Sequence, residues 1–237
     1  MKAYPYDLHV HSCLSPCGDA DMTPQNIAGM ASLNGLSIVA LTDHNSTANC
    51  PAFFKAAERY GICPVAGMEL TTAEEIHMLC LFPDLETAEV FDRFVTENRV
   101  CFPNKPDIFG EQQILGERDE VIGTIPYLLP PATDLTVEEA VKKIREMGAF
   151  ICPAHIDKKV NAMVEILGTV PASYGFLTVE CHDRPDAAFV AAHGLTNTRI
   201  LYNSDAHYLW EIAEAQNCLH LDTGHPTAAD VIACLLT

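Results

Sequence analysis

Short apolar runs alternate along the chain with stretches of helical periodicity. Tyr6–His11, Ser37–Thr42, Ile62–Glu69 and Ile76–Phe82 each read as a buried strand. The polar stretch Thr71-Thr72-Ala73-Glu74-Glu75 between the last two suggests a hairpin-like return. Helices are expected over Pro24–Asn34, Pro51–Tyr60 and Glu86–Asn98. Thr23 suits an N-cap ahead of Pro24, and Gly35 and Gly61 suit helix stops. Residues 99–135 break the pattern, being irregular, charged and rich in Pro and Gly. A segment of that length predicts a lid or binding loop, or else a disordered insert. Regularity returns with Thr136 and Glu139, which fit a capping box for a helix to Met147. Strands follow at Ala149–Ala154, Phe176–Cys181 and Thr198–Asn203, with Asn217–Leu221 as a final strand and a helix over Ala228–Leu236. The alternation predicts an α/β fold of βα units with a mainly parallel sheet. About seven such strands predict a barrel, with an open sheet as the alternative.

Composition sets bounds on this picture. The chain has 237 residues, 49% of them hydrophobic, enough for one sizeable core. With no repeat and no linker in view, residues 1–237 are expected to form a single domain. No apolar stretch is long enough to span a bilayer, and the first seven residues lack the apolar core of a signal peptide, so a cytoplasmic protein is expected. Of the ten cysteines, Cys63, Cys80, Cys152, Cys181 and Cys218 lie inside strand-like runs and read as buried free thiols. Cys13 and Cys17 lie in a loop as reduced thiols or as candidates to bind metal. A formal charge of −18 repels nucleic-acid backbones, so no stable binding of duplex nucleic acid is expected. Bound cations would reverse the potential locally and admit a small phosphorylated substrate.

The candidate chemistry sits where strands end. In Asp7-Leu8-His9-Val10-His11 the alternate residues share one face, so Asp7, His9 and His11 point together and two imidazoles can ligate one ion. Thr42-Asp43-His44, Gly67-Met68-Glu69, Pro153-Ala154-His155 and Ser204-Asp205-Ala206-His207 each close a separate apolar run. In parallel α/β folds such ends form one rim where active sites gather. His77 opens a strand, but a hairpin with Glu69 brings it to the same rim. Imidazole and carboxylate ligate zinc, manganese and iron, and a cluster of such ions suits phosphoester hydrolysis.

These residues resemble the PHP (polymerase and histidinol phosphatase) family of metal-dependent phosphoesterases. The matching motifs are DLHVHS at Asp7–Ser12, LTDHN at Leu41–Asn45, GMEL at Gly67–Leu70, EIHML at Glu75–Leu79, PAH at Pro153–His155 and NSDAH at Asn203–His207. The resemblance implies a distorted seven-stranded βα barrel, TIM-like, and three divalent ions of manganese, iron or zinc. It implies His9, His11, Glu69 and Asp205 around the first ion. Glu69 would bridge to a second held by His77 and His155, and Asp19, His44 and His207 would hold a third. Four interposed residues, Ser15-Pro16-Cys17-Gly18, precede Asp19 and leave Asp21 as an alternative ligand.

The expected activity is hydrolysis of a nucleotide phosphate or short oligonucleotide by a metal-bound hydroxide. Asp205, His207, His182 and Arg184 are the candidates to act on the substrate, and Lys158 and Arg184 the candidates to hold its phosphate. Asp43 is expected to orient a ligand histidine. Two other functions compete: hydrolysis of an amide or another ester, and a non-catalytic metal-binding regulatory domain.

Overall fold

A computed structural model describes residues 1–237. Its strands are β1 (Lys2–Val10), β2 (Ile38–Leu41), β3 (Cys63–Thr71), β4 (His77–Phe82), β5 (Gln113–Leu115), β6 (Val121–Thr124), β7 (Phe150–Pro153), β8 (Thr178–Cys181), β9 (Arg199–Tyr202) and β10 (Cys218–Leu221). Its helices are α1 (Pro24–Leu33), α2 (Cys50–Tyr60), α3 (Leu85–Glu97), α4 (Pro106–Phe109), α5 (Val137–Glu146), α6 (Met163–Leu167), α7 (Ala187–Ala192) and α8 (Ala228–Leu235). The local signals act as expected. The Thr23 hydroxyl accepts from the Asn26 amide, Gly61 closes α2 at φ 67°, and Thr136 and Glu139 form a reciprocal capping box.

The fold is α/β, with a six-stranded sheet in the order β10-β1-β2-β3-β4-β7 and a separate pair, β8-β9. The sheet is mixed rather than mainly parallel. β1, β2 and β3 run parallel, whereas β4, β7 and β10 pair antiparallel with their neighbours. For β4 the cause is loop length: Thr72–Ile76 is too short for a crossover, so β4 can only return antiparallel to β3. The curled sheet is not closed by one continuous ladder. The Ile156 amide donates to the Glu180 carbonyl at 2.9 Å, and a bridge joins Val10 to Ala206, so β8 and β9 complete the circuit by single links.

Both faces of the sheet are buried, which explains the unbroken apolar runs. Val39, Leu41, Met78 and Cys80 join a core with Phe53 of α2, Phe91 of α3 and Ile144 of α5. The alternate residues Ile38, Ala40, Leu79 and Leu81 join a second core with Val231 and Ile232 of α8. Gly67 sits where strands crowd. A Cβ there would lie 2.6 Å from the Thr42 methyl and 3.1 Å from the Cys80 carbonyl oxygen.

Residues 99–135 carry α4 and the short β5-β6 hairpin. They pack beside the strand ends: Asn45 Nδ2 donates to the carbonyls of Leu129 (2.7 Å) and Pro131 (3.0 Å), and the Leu115 amide donates to Asn49 Oδ1 at 2.9 Å. All ten cysteines are free thiols. Cys63, Cys80, Cys152 and Cys181 are buried as expected, but Cys218 is exposed, because β10 is an edge strand with one outward face. No helix is long and apolar enough to cross a membrane.

Candidate metal centre

The ends of β1, β2, β3, β7 and β9, with the start of β4, deliver their polar side chains to one point. Glu69 is at its middle and is 1% exposed. Its two oxygens lie within 3.5 Å of nitrogens from five histidines: His9 (3.5 Å), His11 (3.3 Å), His44 (2.9 Å), His77 (2.8 Å) and His155 (3.0 Å). Asp205 Oδ1 adds contacts to His9 at 3.3 Å and His11 at 3.1 Å. Donor atoms of His9, His11, Glu69 and Asp205 all lie within 4.8 Å of one another, and so do those of His44, Glu69 and His77 and those of His11, His44 and His207. His155 Nε2 is 3.3 Å from His77 Nδ1.

Neighbouring residues aim these rings. His9 Nδ1 donates to both oxygens of Glu180 at 3.0 Å, which turns Nε2 toward the cluster. Glu180 is itself fixed by Asn203 Nδ2 (2.6 Å) and the His155 amide (2.8 Å). Ser15 donates its hydroxyl proton to Asp43 at 2.7 Å, so its oxygen accepts from His11 Nδ1 at 3.1 Å and from the His44 amide at 3.1 Å. Asp43 therefore orients His11 through Ser15. His207 Nδ1 donates to the Asp205 carbonyl at 2.8 Å. Two of these residues have left-handed backbone, His155 at φ 27° and Asp205 at φ 52°. Strain of this kind in non-glycine residues gathers at functional sites.

Divalent cations fit this donor set. His9 Nε2 and His11 Nε2 face each other at 3.2 Å, where neither a pair of lone pairs nor a pair of N–H groups is favourable. His44 Nδ1 and Glu69 Oε2 lie 2.9 Å apart and His11 Nε2 is 3.3 Å from the same oxygen, yet neither His44 Nδ1 nor Glu69 Oε2 has a well-aligned hydrogen bond, and buried His155 Nδ1 has none either. Buried polar atoms seldom go unsatisfied without a function. The Lys158 ammonium, 2.5 Å from Asp205 Oδ2, already places one positive charge there.

Protons serve as the cations of the metal-free protein. Burial lowers the His11 imidazolium, but hydrogen bonds to Asp205 and Glu69 outweigh it and push it up to about 9. Burial likewise opposes the charged form of His44, and the Glu69 charge raises it to about 9. Burial works against the Glu69 carboxylate too, yet His77, His9 and His44 hold it well below its usual range. His207 goes the other way, to about 3, through burial and the neighbouring His11 charge, and so stays neutral. The folded values of His11 and His44 exceed the unfolded value of about 6.5. Their pairing therefore stabilises the metal-free fold in full below about pH 6.5, and that stability is lost as pH rises through about 9. Cations bind deprotonated imidazole and so stabilise more as pH rises. Denaturant midpoints of metal-free and metal-loaded protein are expected to diverge between about pH 6.5 and 9. Parallel curves would contradict this.

The site residues expected from sequence are placed unequally. His9, His11, His44, Glu69, His77, His155, Asp205 and His207 converge. Asp19 does not join the donor groups. Its carboxylate accepts from the Asp21 amide at 2.9 Å, while its own amide donates to the His207 carbonyl at 2.9 Å. Asp21 is exposed. Cys17 sits beside His44 instead and lines the open side of the centre. Asp7 shares the side of His9 but spends its carboxylate below the cluster, on the Ser204 hydroxyl (2.6 Å) and the Ala213 amide (3.0 Å). His182 is exposed on the wall of the adjoining cavity. Arg184 stacks over Tyr202, 4.5 Å from the ring centre, and donates to Asn217 Oδ1 at 2.9 Å, so it lies away from the donors.

Glu180 is the residue that sequence reading undervalued. The signal was an acid inside the otherwise apolar strand-like run Phe176–Cys181, ending level with the other ligand-bearing strands. Glu180→Gln is expected to lower metal affinity roughly 10- to 100-fold while the fold persists. Competition against a chelator, alongside circular dichroism, measures both; unchanged affinity would remove Glu180 from the centre.

Residues 7–151 match the family model described as PHP domain. The chain is 39% identical over 74 residues to an error-prone DNA polymerase of Symbiobacterium thermophilum, covering 31% of this chain and 7% of that protein. It is 35% identical over 94 residues to an uncharacterized protein of Methanocaldococcus jannaschii, covering 36% of this chain and 53% of the other. Among solved structures, the lesion-specific endonuclease Q of Pyrococcus furiosus superposes with a TM-score of 0.72 at 19% identity, over 98% of this chain and 55% of that one. An amidohydrolase from Chromobacterium violaceum gives a TM-score of 0.60 at 18% identity, over 98% and 96% of the two chains. At such identities the structural likenesses speak for the fold alone. The chain spans about half the length of endonuclease Q and less than two thirds of both curated relatives. With the family model matching more than half of its 237 residues, from the first strand into β7, the chain belongs to the PHP domain family.

Proposed function

We propose that this protein is a metal-dependent phosphoesterase acting on a small phosphorylated substrate, a nucleotide phosphate or a short oligonucleotide. The observation that carries the reading is the convergence of five imidazoles on the single buried carboxylate of Glu69. In this reading His9, His11, Glu69 and Asp205 hold one ion, and Glu69, His77 and His155 a second. A third lies with His44 and His207, whose donor atoms group with that of His11, and Asp19 in the adjoining loop stays the expected carboxylate there. Bound divalent ions would supply a water nucleophile at neutral pH and neutralise phosphate charge.

The chain's own residues do the rest. Glu180 and the Asp43–Ser15 pair keep His9 and His11 in the orientation that presents Nε2. Lys158, half-buried beside Asp205, is placed to meet a phosphate oxygen when ions take over the Asp205 carboxylate. His182 faces substrate across the cavity, and Arg184 acts from its stack on Tyr202. Residues 99–135 act as an ordered loop of a single domain, beside the site. Ten free thiols fit a reducing cytoplasm.

Two neighbours bear on substrate. The amidohydrolase shares the fold, and since a fold does not fix the reaction, amide hydrolysis stands as the second reading. An endonuclease Q complex holds a 27-mer duplex with an abasic lesion at its active site, so this architecture admits DNA in that protein. Here the formal charge of −18 favours a small substrate over a long polyanion. The test is a panel of phosphate monoesters, diesters and amides, each assayed with manganese, iron and zinc. Release of phosphate or cleavage of a diester is expected. Turnover of amides alone would replace the proposal with the second reading.

A further inference from the structure

The open side of the centre continues into a cavity of about 690 Å³, a size suited to a nucleotide-like ligand. Its wall includes Asp205, His207, Lys158 and Tyr208, whereas Trp210 lies outside the wall and extends it at the mouth through its stack on Tyr208. The rings of Tyr208 and Trp210 stack with centroids 4.6 Å apart and planes inclined by 20°. Trp210 is the only tryptophan in the chain and is 76% exposed. Tryptophan is buried on average, and here its ring is paired with a second exposed ring at the mouth of the cavity. The backbone that carries the pair is fixed to the cluster: Glu211 Oε2 accepts from the amides of His207 (2.9 Å) and Tyr208 (3.2 Å).

We infer that Tyr208 and Trp210 form a stacking platform for the nucleobase of the substrate, beside the ions that engage its phosphate. The inference rests on the phosphoesterase reading and narrows it to nucleoside phosphates. Every base has a π-face, so such a platform tolerates sequence and rewards the presence of a base. One pair of rings suits one or two nucleotides, in keeping with the acidic surface that disfavours longer strands. Sugar phosphates without a base would gain nothing from it.

The sole tryptophan makes the contact directly visible. Adenosine 5′-monophosphate and ribose 5-phosphate are titrated into the metal-loaded protein, with binding followed by tryptophan emission and by calorimetry. Adenosine 5′-monophosphate is expected to quench the emission and to bind roughly 5- to 150-fold more tightly than ribose 5-phosphate, the range of one base stacking on an aromatic ring. In Trp210→Ala the ratio of the two affinities is expected to fall toward one, and in Trp210→Phe to be largely kept. A purely structural role for Trp210 would weaken both ligands together and leave the ratio alone. Equal affinities in the unaltered protein, or a ratio that survives Trp210→Ala, would overturn the inference. So would loss of a dimer in sedimentation of Trp210→Ala without any change in that ratio, which would assign the rings to a second copy of the chain. The two readings fail separately. Phosphoester turnover without base preference sinks only the platform, and base-dependent quenching without turnover of any phosphoester sinks only the phosphoesterase.

Discussion

Replacing Glu69 by glutamine is expected to abolish both metal retention and turnover. The neutral amide keeps the volume and removes the one charge shared by His9, His11, His44, His77 and His155. Losing a ligand shared by two donor groups is expected to lower metal affinity by more than the roughly 10- to 100-fold that loss of a ligand's supporting partner costs, and breaking the buried ionic arrangement costs about 3–5 kcal/mol of stability. The metal-free protein loses stability as well, because His44 loses the charge that chiefly raises it and His11 keeps only its Asp205 partner. Chelator competition and thermal unfolding measure the two effects. A Glu69→Gln protein that kept its metal would show that the ions do not sit around this carboxylate.

The double substitution His9→Ala with His11→Ala is the second large effect. Both rings are fully buried, and their Nε2 atoms meet at 3.2 Å on the same donor group as Glu69 and Asp205. Alanine at both positions removes two ligands and strands the carboxylate of Glu180, which loses its imidazole partner. Activity on any phosphoester is expected to fall by more than about 10³-fold, as for the loss of a group essential to transition-state stabilisation. Stability at pH 7 is expected to fall by a few kcal/mol, since Glu180 is left buried and short of a charged partner. The control is the exposed His225, far along the chain in the turn before α8. Full turnover in the double variant would place catalysis elsewhere.

How much of this was legible in the sequence depends on whether a feature is local. Strand ends carrying His44, Glu69, His155 and Asp205 stood out because apolar runs stop abruptly at them, and a rim follows from strand direction. His77 was legible through the short return from β3, which also made that pair antiparallel. The mixed sheet was harder. Nothing local to Asn217–Leu221 says that β10 would pair antiparallel with β1, since its partner lies two hundred residues away. The irregular register between β1 and β2 was equally invisible: it lets His9 and His11 converge while Asp7 turns to the loop after β9.

Loops hid the most. The resemblance implies Asp19 as a ligand, but the conformation of its loop was not legible: one Asp19 carboxylate oxygen accepts from the Asp21 amide and so caps its own turn. Gly18 allows that loop to press against Ser12, where a Cβ would lie 2.4 Å from the carbonyl oxygen. His155 and Asp205 have left-handed backbone, and although His and Asp adopt it more often than most residues, the sequence does not say at which positions. A second partner such as Ser15 becomes visible only once the ring it holds is in place.

The central claim meets its most direct test in the metal content of the purified protein, read by elemental analysis next to phosphoester turnover of the same sample. Stripping divalent ions is expected to silence the protein, and restoring manganese, zinc or iron to return both metal and turnover in step. A preparation free of divalent ions that still works at full rate would contradict the account.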